Sequence, residues 1–471
     1  MTRADLLALI PVLILALGSA ALLLLGAWWP RRRPLLRLAT VIALAGAAAA
    51  AFYTPPTTEI AGMFGAGLYA RFFTVLWSLV AALTLLLSVR YGDERHFAGG
   101  EYGALVLFGA AGMALLSSAT SLVGFFLGLE AFTLVLYILI AFHKDDPLGA
   151  EAGLKYLVLG AVATGFLAFG IALIYTAAGT FHLPEAMAGL AAGASMRPLG
   201  LLGWGMLLLV IGFKVSLVPF HLWTPDVYQG SPAPVAGLLS TGSKGAVFAA
   251  LVTVFAGLPA GGDLAPILWL LAALSMLVGT LSALRQENVK RMLAYSSVVH
   301  MGYVVIALLA GQGAGDRAVV FYLVAYAAAN IGAFGVLASL SDRGGEPQTN
   351  DDLRGIGWRY PFRCAALAVF LLSLAGIPPT AGFVGKFAIF WAAIEAGYGW
   401  LAILGIFASL VSLYYYLRVI VLMFMSYECV CEHARGGPAE HTALALCLAV
   451  ALYLGIYPGP LLELIATIVP P

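Results

Sequence analysis

Charged residues are scarce in this sequence of 471 residues, where Asp, Glu, Lys and Arg together make up only 10%. Soluble domains average about 25% charged residues, so the chain lacks the polar surface that a water-facing protein needs. The formal net charge is only +1, so nothing in the charge balance points to nucleic acid. We therefore expect no soluble domain of useful size and no nucleic-acid partner.

Cysteine is also rare, and the four that occur suggest no disulfide framework, because they fall near predicted helix ends or within apolar runs. Two of them belong to the segment "ECVCEH", which contains Cys429, Cys431, Glu432 and His433. The spacing C-x-C-E-H is not an established zinc pattern. We therefore expect no metal site in this chain.

Apolar residues make up 62% of the chain, and its mean hydropathy is +0.98. Runs long enough to cross a hydrocarbon core of about 30 Å recur from end to end, and only helices or closed barrels satisfy their own backbone in lipid. The runs lack the alternation of barrel strands. The sequence predicts an all-α polytopic membrane protein with about fourteen transmembrane helices, at 6–29, 35–52, 69–89, 102–119, 121–142, 153–176, 199–229, 232–256, 264–284, 292–310, 318–340, 364–396, 400–425 and 441–468.

Most Lys and Arg residues fall in alternate loops of this arrangement, as with Arg32, Arg90, Lys144, Arg285 and Arg354. Short loops rich in Lys and Arg stay in the cytoplasm. The pattern therefore predicts a multi-pass membrane protein with both chain termini on the outer side.

Two predicted spans are too long for one straight helix: 199–229 and 364–396 would extend about 46 and 50 Å. Prolines interrupt both, so Val218 and Ile377 are the expected break points. Interrupted helices at matching places in two oppositely oriented halves are typical of inverted-repeat transporters. The sequence thus predicts helices 1–3 in 1–100, a first five-helix repeat in 101–260, a second, inverted repeat in 261–428, and a loop with the last helix in 429–471.

Four ionisable residues lie near mid-membrane depth in this arrangement, namely Glu130, Lys214, Lys244 and Lys386. A structural ion pair between Glu130 and Lys214 is one interpretation, but buried pairs often add nothing net to stability. Burial disfavours the charged form of lysine, and a carboxylate at about 4 Å favours it by roughly 4 kcal/mol at an effective dielectric of 20, halved at about 8 Å. Small changes in spacing could therefore load or unload a proton. The hypothesis is a relay of Lys214, Lys244 and Lys386 biased by Glu130.

Other polar groups lie along the same level. His300 could shuttle protons with Tyr295, Ser296 and Ser297, and a hydrogen-bonded interior histidine is an equal alternative. Tyr322, Tyr326 and Asn330 share one helix face, for which helix–helix hydrogen bonding is the preferred interpretation. His143, Lys144, Asp145 and Asp146 follow the fifth span, as a solvated loop or as proton collectors.

Three segments carry a resemblance to a known family. They are "FKVSLVPFHLWTPDVYQGSPAPVAGLLSTGSKGA" (213–246), "RQENVKRMLAYSSVVHMGY" (285–303) and "LSLAGIPPTAGFVGKF" (372–387). In this order they resemble the antiporter-like, proton-translocating membrane subunits of respiratory complex I, and the likeness extends over about 100–425. It implies a fourteen-helix fold, a coupled pair at Glu130 and Lys214, a central lysine at Lys244 and an exit-side lysine at Lys386.

The resemblance also implies a location in the bacterial inner membrane, so that the outer side on which both termini lie would be the periplasm. It implies partners and cofactors as well. The partners would be other membrane-arm subunits of complex I, further antiporter-like subunits among them, with lipid and protons. NADH, FMN, iron–sulfur clusters and quinone would belong to other subunits, with no cofactor in this chain. The tenth span offers only His300 at mid-depth between Lys244 and Lys386. A subunit of a multisubunit Na⁺/H⁺ antiporter and a non-pumping scaffold are the alternative functions.

Overall fold

The computed structural model describes residues 2–29, 32–192, 196–255, 262–311, 313–341, 345–426 and 436–469, and these are almost entirely helical. The other regular elements are a short antiparallel hairpin of Glu59–Ile60 with Phe64–Gly65 and a π-helical turn at Leu239–Ser243. The elements in chain order are α1 (Arg3–Ala8), α2 (Ile10–Trp28), α3 (Arg32–Phe52), β1 (Glu59–Ile60), β2 (Phe64–Gly65), α4 (Leu68–Glu94), α5 (Gly99–Ser117), α6 (Leu122–Ile140), α7 (Pro147–Ala178), α8 (Leu183–Ala192), α9 (Arg197–Lys214), α10 (Trp223–Gly230), α11 (Ala233–Leu238), α12 (Lys244–Phe255), α13 (Ala265–Leu284), α14 (Val289–Ala310), α15 (Ala314–Ser339), α16 (Ile356–Arg359), α17 (Pro361–Ala375), α18 (Ala381–Glu395), α19 (Gly399–Phe424), α20 (Pro438–Ile456) and α21 (Gly459–Ile468).

The helices agree with the predicted membrane spans. In the described part of the chain, 13 helices are long and apolar enough to cross a membrane, with α11, the π turn and α12 counted as one. The interrupted segment α17–α18 supplies one more crossing, which gives the expected fourteen. The polytopic all-α prediction is therefore confirmed. The division into two inverted repeats stays a prediction.

Both long spans are interrupted where proline predicted it. Helix α9 ends at Lys214 and α10 begins at Trp223, with Val218 in the connection. Helix α17 ends at Ala375 and α18 begins at Ala381, with Ile377 between them. Residues 215–218 of the first break are buried, and the freed Val218 amide donates to Ser275 Oγ at 2.9 Å. Non-helical backbone is thus satisfied by side chains of neighbouring helices, as it must be away from water.

The structure also differs from the predicted spans. The last span, predicted as one helix over 441–468, is two helices, because Pro458 stands between α20 and α21 and has no amide donor. Helix α7 is longer than its prediction of 153–176, since Asp146 caps its start by accepting from the Leu148 amide. Helix α8, the hairpin and the π turn were not predicted.

Burial divides the helices into an inner and an outer set. The spans formed by α11–α12, α14 and α15 are almost wholly enclosed by the rest of the chain, whereas α2, α7, α19 and α20 leave most of their surface exposed. A helix that is apolar all round is suited to either place, so amphipathic periodicity cannot separate the two sets. The inner set holds two of the candidate residues, Lys244 and His300.

Candidate functional site

Lys214 is buried at the end of α9, beside the first helix break. Its Nζ donates to Thr133 Oγ1 on α6 at 2.9 Å, and three aromatic rings have centroids 5.8–5.9 Å from the Nζ atom. The hydroxyl and the ring faces stabilise a cation that lipid would reject. Those rings belong to Tyr137, Tyr156 and Phe213.

Glu130 lies on α6, one helical turn before Thr133. Its Oε1 accepts a hydrogen bond from Thr164 Oγ1 on α7 at 2.9 Å. Within the part of the chain that the structure describes, no carboxylate oxygen lies within 4.0 Å of Lys214 Nζ. The contact ion pair considered from the sequence is therefore not formed, because Thr133 and Thr164 occupy the nearest hydrogen-bonding positions. The Glu130 charge still acts on Lys214 through space.

Lys244 begins α12 directly after the π turn and is fully buried. Its Nζ donates to Ser297 Oγ on α14 at 2.8 Å and lies 5.2 Å from the Tyr228 ring centroid. The Trp223 ring is 6.0 Å from the same Nζ. That indole also packs on Tyr156, with ring centroids 4.6 Å apart. An aromatic wall thus separates the Lys214 and Lys244 amines and contacts both.

His300 lies on α14, one turn after Ser297, and is buried. Its Nδ1 is hydrogen-bonded to the Tyr322 hydroxyl on α15, and its Nε2 to the Tyr416 hydroxyl on α19 at 3.2 Å. The Tyr416 hydroxyl is bonded in turn to Ser296. The Tyr303 ring packs against this imidazole, with centroids 5.5 Å apart, and lies 5.1 Å from Lys386 Nζ. The histidine therefore occupies the space between the central and the last lysine.

Lys386 is buried on α18 next to the second helix break. Its Nζ donates to Ser409 Oγ on α19 at 2.8 Å and to the Ala375 carbonyl at 3.0 Å. Ala375 ends α17, and the last carbonyls of a helix have no partner within the helix. The break thus creates an acceptor for the ammonium group. A largely apolar cavity of about 400 Å³ lies between α18 and α19, with Lys386 and Ser409 in its wall.

A polar cluster occupies the face of the protein that carries the arginine-rich loops. Glu346 accepts from Lys290 Nζ at 2.6 Å, from the Tyr91 hydroxyl at 2.5 Å and from the Ala233 amide at 2.8 Å. Burial raises the pKa of Glu346, but the Lys290 charge and these donors outweigh it and hold the pKa below its usual value. Beside the pair is a cavity of about 290 Å³, which His143, Asp145 and Asp146 also line.

The structure thus places the predicted residues in one succession from Glu130 to Lys386, with each amine on a hydroxyl of another helix. Sequence reasoning missed Thr133, Thr164 and Ser409. For Thr133 a signal existed, since it lies on the face of Glu130 one turn away. Asn330, expected to bond another helix, donates to Ser240 at 2.5 Å. Segment 429–433 lies outside the described residues, and among those described no group of three His, Cys, Asp or Glu residues could hold a metal ion.

Comparison with known protein families shows the class of protein to which this chain belongs. The family described as "NADH:quinone oxidoreductase/Mrp antiporter, TM" matches residues 119–412. The chain belongs to this family of antiporter-like membrane subunits.

Individual members of this family and solved structures are also similar to this chain. The chain is 51% identical to NADH-quinone oxidoreductase subunit N of Syntrophotalea carbinolica, over 88% of this chain and 90% of that protein. Among solved structures it is similar to a chain of respiratory complex I from Thermus thermophilus, with 36% identity, a TM-score of 0.82 and coverage of 96% and 98%. A chain of the Mrp complex from Dietzia sp. matches with 21% identity, a TM-score of 0.84 and coverage of 100% and 97%, which shows a shared fold.

Proposed function

We propose that this chain is a proton-translocating membrane-arm subunit of an NADH:quinone oxidoreductase. The observation that carries the proposal is the succession of buried amines, Lys214, Lys244 and Lys386, each bonded to one hydroxyl on a neighbouring helix. The relatives named as subunit N of NADH-quinone oxidoreductase support the assignment to that enzyme.

The proposed mechanism uses electrostatics and distance. Glu130 stands one turn from the acceptor of Lys214, so a small slide of α6 or of the broken end of α9 changes the separation of the two charges. At an effective dielectric of 20 the attraction falls from about 4 to about 2 kcal/mol between 4 and 8 Å. That difference shifts a protonation equilibrium by about 1.5 pKa units, enough to favour release of a proton. The proton then passes by way of Lys244 and His300 to Lys386.

We further propose that the chain takes no part in electron transfer. The NADH, FMN, iron–sulfur and quinone sites would lie in other subunits, and redox chemistry there would drive the slide described above. We place both chain termini on the periplasmic side. Loops rich in arginine alternate with loops poor in arginine, and the rich loops stay in the cytoplasm, opposite the termini.

The experiment measures protons pumped per NADH oxidised in inverted membranes with the assembled complex. We expect Lys214→Ala, Lys244→Ala and Glu130→Ala to lower this yield severalfold while the peripheral arm still accepts electrons. Lys155→Ala is the matched control, because this partly exposed lysine pairs with Asp226, which keeps its bond to Arg291. Surface ion pairs of that kind contribute little to stability. Normal yield with normal assembly in all three site variants would refute the proposal and favour a scaffold.

A further inference from the structure

A third cavity, of about 370 Å³, opens on the face opposite the arginine-rich loops, the arginine-poor face, where the hairpin, the α5–α6 turn and the ends of α12 and α21 meet. Its volume far exceeds the roughly 10–15 Å³ that one water molecule requires. The wall is not simply apolar. Its polar side chains are Tyr69, Ser117, Ser118, Thr120, Thr253 and Asp316.

Asp316 is the charged member of this wall. It lies in the first turn of α15 and is only 7% exposed. Among the described residues no hydrogen bond or ion pair is found for its carboxylate, whose oxygens keep some accessible surface, and Thr120 Oγ1 in the same wall is fully buried without a partner. A buried carboxylate without a donor is costly, and such groups are normally satisfied by protein or by ordered water. Two unpartnered groups lining one roomy cavity point to a hydrated site.

The cavity also reaches toward the central lysine. Ser117 in its wall accepts a hydrogen bond from Trp77 Nε1 at 2.7 Å. The other end of that indole packs on Gly245, where an added Cβ would lie 2.5 Å from the ring. Gly245 directly follows Lys244 in the chain. Thr253, in the cavity wall, lies about 13 Å from Lys244 along the axis of α12. One indole thus contacts both Ser117 in the cavity wall and Gly245 beside Lys244.

We propose that this cavity is a hydrated vestibule in which Asp316 exchanges the transported proton with water on the arginine-poor face. The inference rests on the proposed function and adds to it a site outside the lysine succession. In each cycle the carboxylate takes one proton from a protonated water (H₃O⁺) on the membrane side, leaving water, and then gives that proton to a water on the outer side, which becomes H₃O⁺, so charge balances. The ionisable neighbours are Tyr69, whose hydroxyl donates to Ala249 O, and Arg317, which donates to Val469 O.

The first test compares proton yield per NADH in the assembled complex. Asp316→Asn keeps the size of the side chain and cannot carry a proton, so we expect a severalfold lower yield. Asp316→Glu restores an ionisable group and should recover most of the proton yield. Asp263→Asn is the control, because this exposed carboxylate on the same face is bonded to Arg197.

The second test reads hydration without relying on pumping. In a Cys429→Ser, Cys431→Ser background, Thr253→Cys should react with a charged, membrane-impermeant thiol reagent added on the arginine-poor side. Leu157→Cys, exposed on the apolar surface of α7, should not react.

The outcomes separate the two proposals. Normal pumping by Asp316→Asn with impaired pumping by Lys244→Ala would overturn the vestibule alone, as would an unreactive Thr253→Cys. Normal pumping by both variants would overturn the proposed function itself.

Discussion

Each of the three amines is paired with a single hydroxyl rather than a carboxylate: Lys214 with Thr133, Lys244 with Ser297 and Lys386 with Ser409. A hydroxyl accepts from an ammonium group and can also donate to a neutral amine. A carboxylate only accepts and would hold the proton on the lysine. Hydroxyl partners therefore suit residues that must alternate between two protonation states.

This reasoning predicts the effect of Thr133→Val, which keeps the shape and removes the acceptor of Lys214. A buried donor left without a partner costs about 1–3 kcal/mol, and more when it is charged. We expect a severalfold lower proton yield per NADH, with recovery in Thr133→Ser. Thr176→Val, at an exposed position on α7, is the control. An unchanged yield in Thr133→Val would show that Lys214 needs no hydroxyl.

Glu346 gives a prediction for stability. Because its folded-state pKa is below the usual 4.5, its contribution to stability is complete above that value and is lost as the pH falls through the lowered pKa. Removing one partner of a buried pair costs about 3–5 kcal/mol. Glu346→Gln should therefore lower the melting temperature at pH 7 and lessen the loss of stability below pH 4.5. Asp351→Asn, in an exposed pair with Arg354, should do neither.

At the scale of elements, the sequence could predict the spans and their breaks, because membrane thickness and proline act locally. Val218 and Ile377 both lie in the observed interruptions. The sequence could not predict the hydrogen-bond partners of the lysines. Thr133 is 81 residues from Lys214 and Ser297 is 53 from Lys244, so their pairing depends on helix packing. The π turn before Lys244 was also missed, because one shifted backbone hydrogen bond leaves no periodic signal in the sequence.

The second helix break depends on close packing of its two halves, which predicts the effect of Gly382→Ala. A Cβ at Gly382 would lie 1.8 Å from the Ser373 carbonyl oxygen of α17. Overpacking of this kind costs typically about 1–3 kcal/mol, and here backbone must move. We expect less assembled complex and a lower melting temperature. Gly399→Ala, where an added Cβ meets nothing within 4 Å, should behave as the unmodified chain.

At the scale of the whole molecule, the enclosed helices hold the central residues of the proposed proton path, and the exposed helices surround them. Lys244 and His300 lie on α12 and α14, which the rest of the chain shields from lipid. Helices α7 and α19 present apolar side chains outward, as Leu154 and Phe407 show. The outer helices are thus free to contact lipid or the other membrane-arm subunits of the proposed complex. Proton transfer can proceed inside without exposing an amine to hydrocarbon.

The same arrangement predicts which ion is carried. A metal cation moving along this path would meet Lys214, Lys244 and Lys386 in turn, and like charges about 4 Å apart repel by roughly 4 kcal/mol at an effective dielectric of 20. A neutral amine, in contrast, takes up a proton directly. Replacing Na⁺ by choline should therefore leave the proton yield per NADH unchanged. A yield that falls without Na⁺ and returns when it is restored would instead indicate cation–proton exchange, because the lysines would then have to be neutral whenever the cation passes.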